Sequence, residues 1–171
     1  MSKIILVTGG ARSGKSAIAE RLTISLGANP IYIATAEDRD DEMRARIAAH
    51  QARRGPEWTT HHAPLDLAGA LEATDGAGPR LVDCLTLWLS NLLLKGDNWQ
   101  GATEDLVAAL ANLAAPIVFV TNEVGGGIVP ENKLAREFRD AAGLLNQRIA
   151  GVADEVYLAV SGLSLQLKPG T

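Results

Sequence analysis

The chain has 171 residues, 47% of them hydrophobic, and a net charge of −4 at pH 7. That length and apolar content suit one domain, residues 1–171, with a buried core, and argue against disorder. The acidic balance argues against a broad basic surface, so no nucleic-acid partner is expected.

The opening MSKIILVTGG has too short an apolar run for a signal peptide. Within it, Ile4 to Thr8 is a buried-strand run that stops at glycines. A helix follows from Lys15 to about Leu26, with Ile18, Leu22 and Leu26 on one face and Gly27 ending it. Ile31 to Ala34 is the next strand. Asp38 to Arg54 reads as a helix, with acids in its first turn and arginines in its last, as the helix dipole favours. Thr59 to His62 reads as a short strand, Leu65 to Ala73 as a short helix, and Leu81-Val82 as a strand ending at Asp83. Cys84 is the one cysteine, so no internal disulfide forms, which fits a reducing compartment.

Leu85 to Leu94 is apolar enough for a buried helix or an interface, and Thr103 is the expected cap of a helix running to Ala114. Ile117 to Val120 is a strand, Gly125 to Gly127 a flexible loop, and Lys133 to about Ile149 a long helix. Glu155–Val160 and Leu163–Leu167 form a closing hairpin around Ser161-Gly162. No apolar stretch is long enough to span a bilayer, so no membrane span is expected and a cytoplasmic location is. Strands alternating with helices predict an α/β fold: a mostly parallel sheet, helices on both faces, and an antiparallel C-terminal edge.

Gly9-Gly10-Ala11-Arg12-Ser13-Gly14-Lys15-Ser16 matches G-x-x-x-x-G-K-[ST] in full, between a strand and a helix. Together these make the expected fold a P-loop NTPase of the RecA-like kind. Glycines let successive backbone N–H groups converge on phosphate oxygens, and the helix N-terminus adds partial positive charge. Lys15 would reach the β- and γ-phosphates, and Ser16 would ligate Mg²⁺. Asp83, at a strand end, is the candidate for the second metal-side acid; the same position also suits a residue that only caps the next helix.

His50 stands among Arg46, Arg53 and Arg54 on the helix from Asp38, at the border of an apolar stripe made by Met43 and Ile47. Guanidinium groups three and four residues away disfavour the imidazolium, and neutral imidazole is the nucleophilic form. Arginines also bind phosphate oxygens bidentately. The pattern suits a histidine that attacks phosphorus, but spacing alone favours a solvated basic helix face with an incidental histidine. His61 and His62 belong to no metal-ligand spacing.

GGARSGKS, YIATA, DDEMRARIAAH, DCLTLWLSNLL, TNEVGGGIVPENKLAREFRDAAGLLNQRIA and ADEVYLAVSGL occur in that order. With them the chain resembles, over nearly its whole length, the bifunctional adenosylcobinamide kinase / adenosylcobinamide-phosphate guanylyltransferase family of cobalamin biosynthesis. The resemblance implies two reactions. A nucleoside triphosphate, ATP or GTP, phosphorylates adenosylcobinamide. GTP then gives GMP to an enzyme histidine, and adenosylcobinamide phosphate takes it up as adenosylcobinamide-GDP. The matching histidine here is His50, and Lys15 and Asp83 complete the implied catalytic set. Gly9 to Ser16 match the GTP phosphate loop. Ala34, Thr35, Ala36, Gln51, Ala52, Arg53 and Arg54 match further nucleotide-facing positions, and Asp83 matches an acid at the metal and nucleotide site. Asn122 and Glu123 match a strand-end TNE. The family usually has a nucleotide-contacting glutamate in W-x-T-x-E-x-P; here that stretch is Trp58-Thr59-Thr60-His61-His62-Ala63-Pro64, so His62 takes its place without a permanent acceptor pair. The resemblance also implies a homotrimer. The residues by themselves leave two rivals: a monofunctional P-loop small-molecule kinase, and a GTP-binding regulatory module.

Overall fold

The computed structural model describes residues 2–37 and 41–170, the side chains of residues 42, 46, 50 and 53 excepted. In chain order the elements are β1 (Ile4–Gly9), α1 (Lys15–Ser25), β2 (Ile31–Ala34), α2 (Asp41–Arg53), β3 (Thr59–His62), α3 (Leu67–Ala73), β4 (Arg80–Asp83), α4 (Leu85–Lys95), α5 (Trp99–Leu110), β5 (Ile117–Asn122), α6 (Lys133–Val152), β6 (Glu155–Val160) and β7 (Leu163–Lys168). They build one seven-stranded sheet in the order β3-β2-β4-β5-β1-β6-β7. The first six strands in the chain run parallel, and β7 returns antiparallel on β6.

Period-two alternation divides the core between the two faces of the sheet. Ile4 and Leu6 of β1 pack with Trp88, Leu89, Leu106, Leu145 and Ile149 from the helices of one face. Ile5 and Val7 pack with Ile18 and Ala19 of α1 on the other, where Leu22 and Leu26 complete the stripe. Central β5 is buried on both faces, which explains its uninterrupted apolar run. The run Leu85 to Leu92 of α4 serves the core, with Leu85, Trp88 and Leu89 essentially inaccessible.

Helix starts differ from the sequence expectation where a stronger cap intervenes. α5 begins at Trp99 because Asn98 accepts the Gly101 N–H at 3.1 Å; Thr103 lies inside the helix and its hydroxyl donates back to Trp99 O at 2.7 Å. α3 begins two residues later than expected, at Leu67, because Asp66 accepts the Gly69 N–H. α6 runs past Ile149 to Val152, its start fixed by Asn132. The expected start of α2 at Asp38 lies outside the described residues. The segment expected as a flexible loop is tied at Gly125, whose carbonyl accepts from Arg139 at 2.8 Å and whose N–H donates to Glu123.

Candidate functional site

Register sets Gly9 beside Asn122, Ala34 beside both Asp83 and His62, and Asp83 beside Val120. The carboxyl ends of the parallel strands therefore share one rim, where ligands of open α/β sheets bind. A cavity of about 570 Å³ opens there. Its floor is the loop and first helical turn from Arg12 to Ala17. Tyr32, Ala34, Ala36, Asp83, Cys84, Leu87 and Asn122 form one wall, and Met43, Ile47, Ala49, Gln51 and Arg54 of the α2 segment form another, closed by Thr60 and His62.

The floor is shaped for an anion. Gly14 precedes α1 at φ +88°, a backbone state that glycine enters without strain, and no side chain caps the helix N-terminus. Lys15 Nζ reaches back to Gly10 O at 3.0 Å, across the mouth of the loop. Opposite, Asp83 leaves the end of β4. Burial raises the Tyr32 hydroxyl above its ordinary range and the Asp83 charge adds to it. The Cys84 thiol is pushed up to about 11, again by burial first and Asp83 second. The field of this carboxylate thus acts on two neighbours along its own wall of the cavity. Ser16 hydroxyl and Asp83 carboxylate are hard oxygen donors on one cavity, and the described residues contain no cluster of three or more His, Cys, Asp or Glu. Such a pair suits Mg²⁺, which keeps few protein ligands and takes the rest from phosphate and water.

Arg54 sits over the Tyr32 ring, its Cζ 3.5 Å from the ring centroid, and Trp58 meets Tyr32 edge-on at 6.5 Å. This stack holds a guanidinium in the wall despite the half-buried setting.

Of the residues expected from the sequence, Arg12, Ser13, Gly14, Lys15, Ser16, Ala34, Ala36, Gln51, Arg54, His62 and Asp83 line the cavity; Gly9, Gly10, Ala11, Thr35 and Ala52 do not. Thr35 is fully buried, and its hydroxyl donates to Cys84 O at 2.8 Å and accepts from Cys84 N at 2.7 Å, so it braces the site rather than facing it. The side chains of His50 and Arg53 lie outside the described residues. The backbone of His50 is in α2, between Ala49 and Gln51, both cavity-lining. Asn122 lines the cavity, its N–H held by Thr86 Oγ1 at 2.7 Å; Glu123 instead donates its N–H to Gly9 O and accepts from Gly125.

Sequence reasoning did not single out Tyr32, Thr60, Leu87 and Asn91. Tyr32 carried a signal, as an aromatic in an otherwise aliphatic strand. Asn91 carried none: it acts from the middle of α4, donating to Thr35 O and Pro64 O at 2.8 and 2.9 Å.

The family model described as cobinamide kinase / cobinamide phosphate guanyltransferase, CobU, matches residues 5–167. The chain belongs to this family. It is 48% identical to the bifunctional adenosylcobalamin biosynthesis protein CobP of Pseudomonas aeruginosa, covering 95% of this chain and 96% of that one. It is 45% identical to CobU of Salmonella typhimurium, likewise described as a bifunctional adenosylcobalamin biosynthesis protein, covering 96% and 99%. Among solved structures it resembles an ATPase of the type III secretion system of pathogenic bacteria, with a TM-score of 0.61 at 12% identity over 97% of this chain and 58% of that one. It also resembles the flagellar accessory protein FlaH of Methanocaldococcus jannaschii, with a TM-score of 0.52 at 14% identity, over 99% and 81%. These two likenesses bear on the fold alone, that of the P-loop NTPases; in this chain β5 lies between the phosphate-loop strand β1 and the acid-bearing strand β4.

Proposed function

We propose that this CobU-family protein is a cytoplasmic enzyme that phosphorylates adenosylcobinamide with ATP or GTP. It then transfers GMP from GTP, through a guanylylated His50, to adenosylcobinamide phosphate, giving adenosylcobinamide-GDP. The observation that carries this reading is the shared cavity. The phosphate loop, Asp83 and the α2 residues on both sides of His50 line one space, in a chain nearly half identical to bifunctional relatives.

In the kinase step the substrate hydroxyl attacks the γ-phosphorus and the nucleoside diphosphate leaves. Lys15 and the loop N–H groups take up the charge that gathers on the leaving oxygens. In the transferase step a neutral His50 nitrogen attacks the α-phosphorus, a P–N bond forms, and the bond to pyrophosphate breaks. A phosphate oxygen of the second substrate then attacks the same phosphorus and releases the histidine. Mg²⁺, when bound, would be held by Ser16 and Asp83 and would neutralise polyphosphate charge. Gln51, Arg54 and His62 orient the nucleotide from the opposite wall, His62 through its ring nitrogens where the family pattern carries glutamate. A homotrimer is part of the reading, supported by the exposed apolar face of the β6–β7 hairpin.

The test is label transfer. Wild type incubated with α-labelled GTP and Mg²⁺ should retain acid-labile, base-stable counts that phosphorylated corrinoid discharges. His50→Ala should lose those counts while still phosphorylating adenosylcobinamide. Label persisting in His50→Ala would refute the nucleophile, and phosphorylation without any label would leave a monofunctional kinase.

A further inference from the structure

Every N–H that the phosphate loop offers to an anion requires a neighbouring carbonyl turned the other way, since a carbonyl oxygen aimed at a polyphosphate would repel it. Several loop carbonyls have such an anchor, Gly9 O in the Glu123 N–H among them, and one is held by the C-terminal hairpin. Ser13 O accepts the N–H of Gly162 at 2.9 Å. Gly162 sits at the tip of the β6–β7 hairpin, 149 residues further along the chain.

The contact is close-packed as well as hydrogen-bonded. A Cβ built on Gly14 would lie 2.9 Å from Gly162 Cα, so loop and turn meet backbone to backbone. The turn has a defined shape: Ser161 has φ +52° and Gly162 φ +82°, both in the left-handed region. The far strand is also registered to the loop at its start, because β6 pairs with β1 and sets Ala159 beside Gly9. A Cβ on Gly9 would meet Ala159 O at 2.6 Å. The hairpin therefore underlies the phosphate loop at both of its motif glycines.

We propose that the Ser161-Gly162 turn is a positioning element of the triphosphate site. Its Gly162 N–H fixes the Ser13 peptide so that the following N–H groups face the polyphosphate. Gly162 touches neither substrate nor metal; it acts through Ser13. The inference rests on nucleotide binding by the loop and not on the guanylylation of His50, so a failed label transfer would leave it standing.

Three substitutions at Gly162 separate a specific role from general damage. Beyond its own chain neighbours, no heavy atom of the described residues lies within 4 Å of a Cβ built there, so what a side chain meets at this position is the strain of the positive φ itself. Proline removes the donor and cannot take a positive φ. Asparagine keeps the N–H and tolerates the left-handed region. Valine keeps the N–H but resists that region. Binding of GTP, guanosine and inorganic tripolyphosphate is measured by calorimetry with Mg²⁺ present, with circular dichroism reporting the fold. Gly162→Pro should weaken GTP and tripolyphosphate by about tenfold, the worth of one well-placed hydrogen bond, with guanosine unchanged. Gly162→Asn should match wild type. Equal losses for GTP and guanosine, or wild-type tripolyphosphate affinity in a folded Gly162→Pro, would overturn the proposal. Should Gly162→Pro not fold, Gly162→Val decides. A loss of tripolyphosphate affinity with guanosine retained supports the role, and wild-type affinity refutes it.

Discussion

Arg80 shows how far a single side chain can be taken from water when its partners are in place. It is fully buried at the start of β4, donating to Leu71 O and Ala115 O at 2.5 Å each and pairing with Asp75 at 3.0 Å. Asp75 in turn accepts the N–H groups of Ala115 and Ala114, and these, with Arg80, hold its carboxyl below the ordinary value of 3.8. A carboxyl lowered on folding adds stability above its ordinary value, and that stability is lost as pH falls through the folded value. Asp75→Asn should therefore cost on the order of 3 kcal/mol at neutral pH, by leaving Arg80 without its counter-charge. The gap in melting temperature from wild type should narrow as pH drops below 3.8. A gap that stayed constant into strong acid would show that the charge is not what matters. Cys84 makes a second case. Buried, with its thiol pushed up to about 11, it should react with maleimide at pH 7 only after denaturation, which mass spectrometry would read. At this scale the sequence was legible where chemistry is carried by residue type in fixed spacing, as in Gly9 to Ser16. It was not legible for Thr35, whose neighbours Ala34 and Ala36 face the cavity while its own hydroxyl turns inward; strand alternation and register, not residue type, decide that.

Between elements, the site is held by connections that no local pattern announces. α4 ties the exits of three strands together. Asn91 donates to Thr35 O beyond β2 and to Pro64 O beyond β3, and Thr35 clamps the Cys84 peptide beyond β4. Thr86, one turn earlier, holds the Asn122 N–H at the end of β5. Four strand ends are thus fixed to one helix, which explains why an apolar helix carries two buried polar residues. Asn91→Leu preserves bulk but strips one buried and one half-buried carbonyl of their donor. It should destabilise the fold by about 2 kcal/mol, seen as a lower urea midpoint at unchanged slope. Strands and long helices were readable from apolar periodicity. Helix starts at Leu67 and Trp99 were not, because Asp66 and Asn98 outcompete nearby candidates by contacts that depend on the preceding turn.

For the molecule as a whole, alternation of strands and helices predicted the parallel sheet and its antiparallel edge, but not the strand order. Placing β5 between β1 and β4 requires α4, α5 and α6 to share one face, a choice made by long-range packing around Trp88, Leu106 and Leu145. The open end of that sheet poses the remaining question. Val160 pairs with Leu163, and Leu158 with Leu165, across the terminal hairpin. Val160, Leu163, Leu165 and Leu167 are 56, 75, 61 and 48% exposed. Isolated exposed leucines are ordinary, but a contiguous apolar strip on an edge strand invites pairing with another chain. The proposed trimer supplies such chains, each a further copy of this one. Under that reading Leu165→Lys inserts a charge into the strip without touching the core, since β7 contributes no buried residue. Light scattering should then give three times the chain mass for wild type at micromolar concentration and a single chain for the variant, with both retaining the same circular dichroism. A monomeric wild type would refute the assembly, and a variant that still assembles would move the interface to another face.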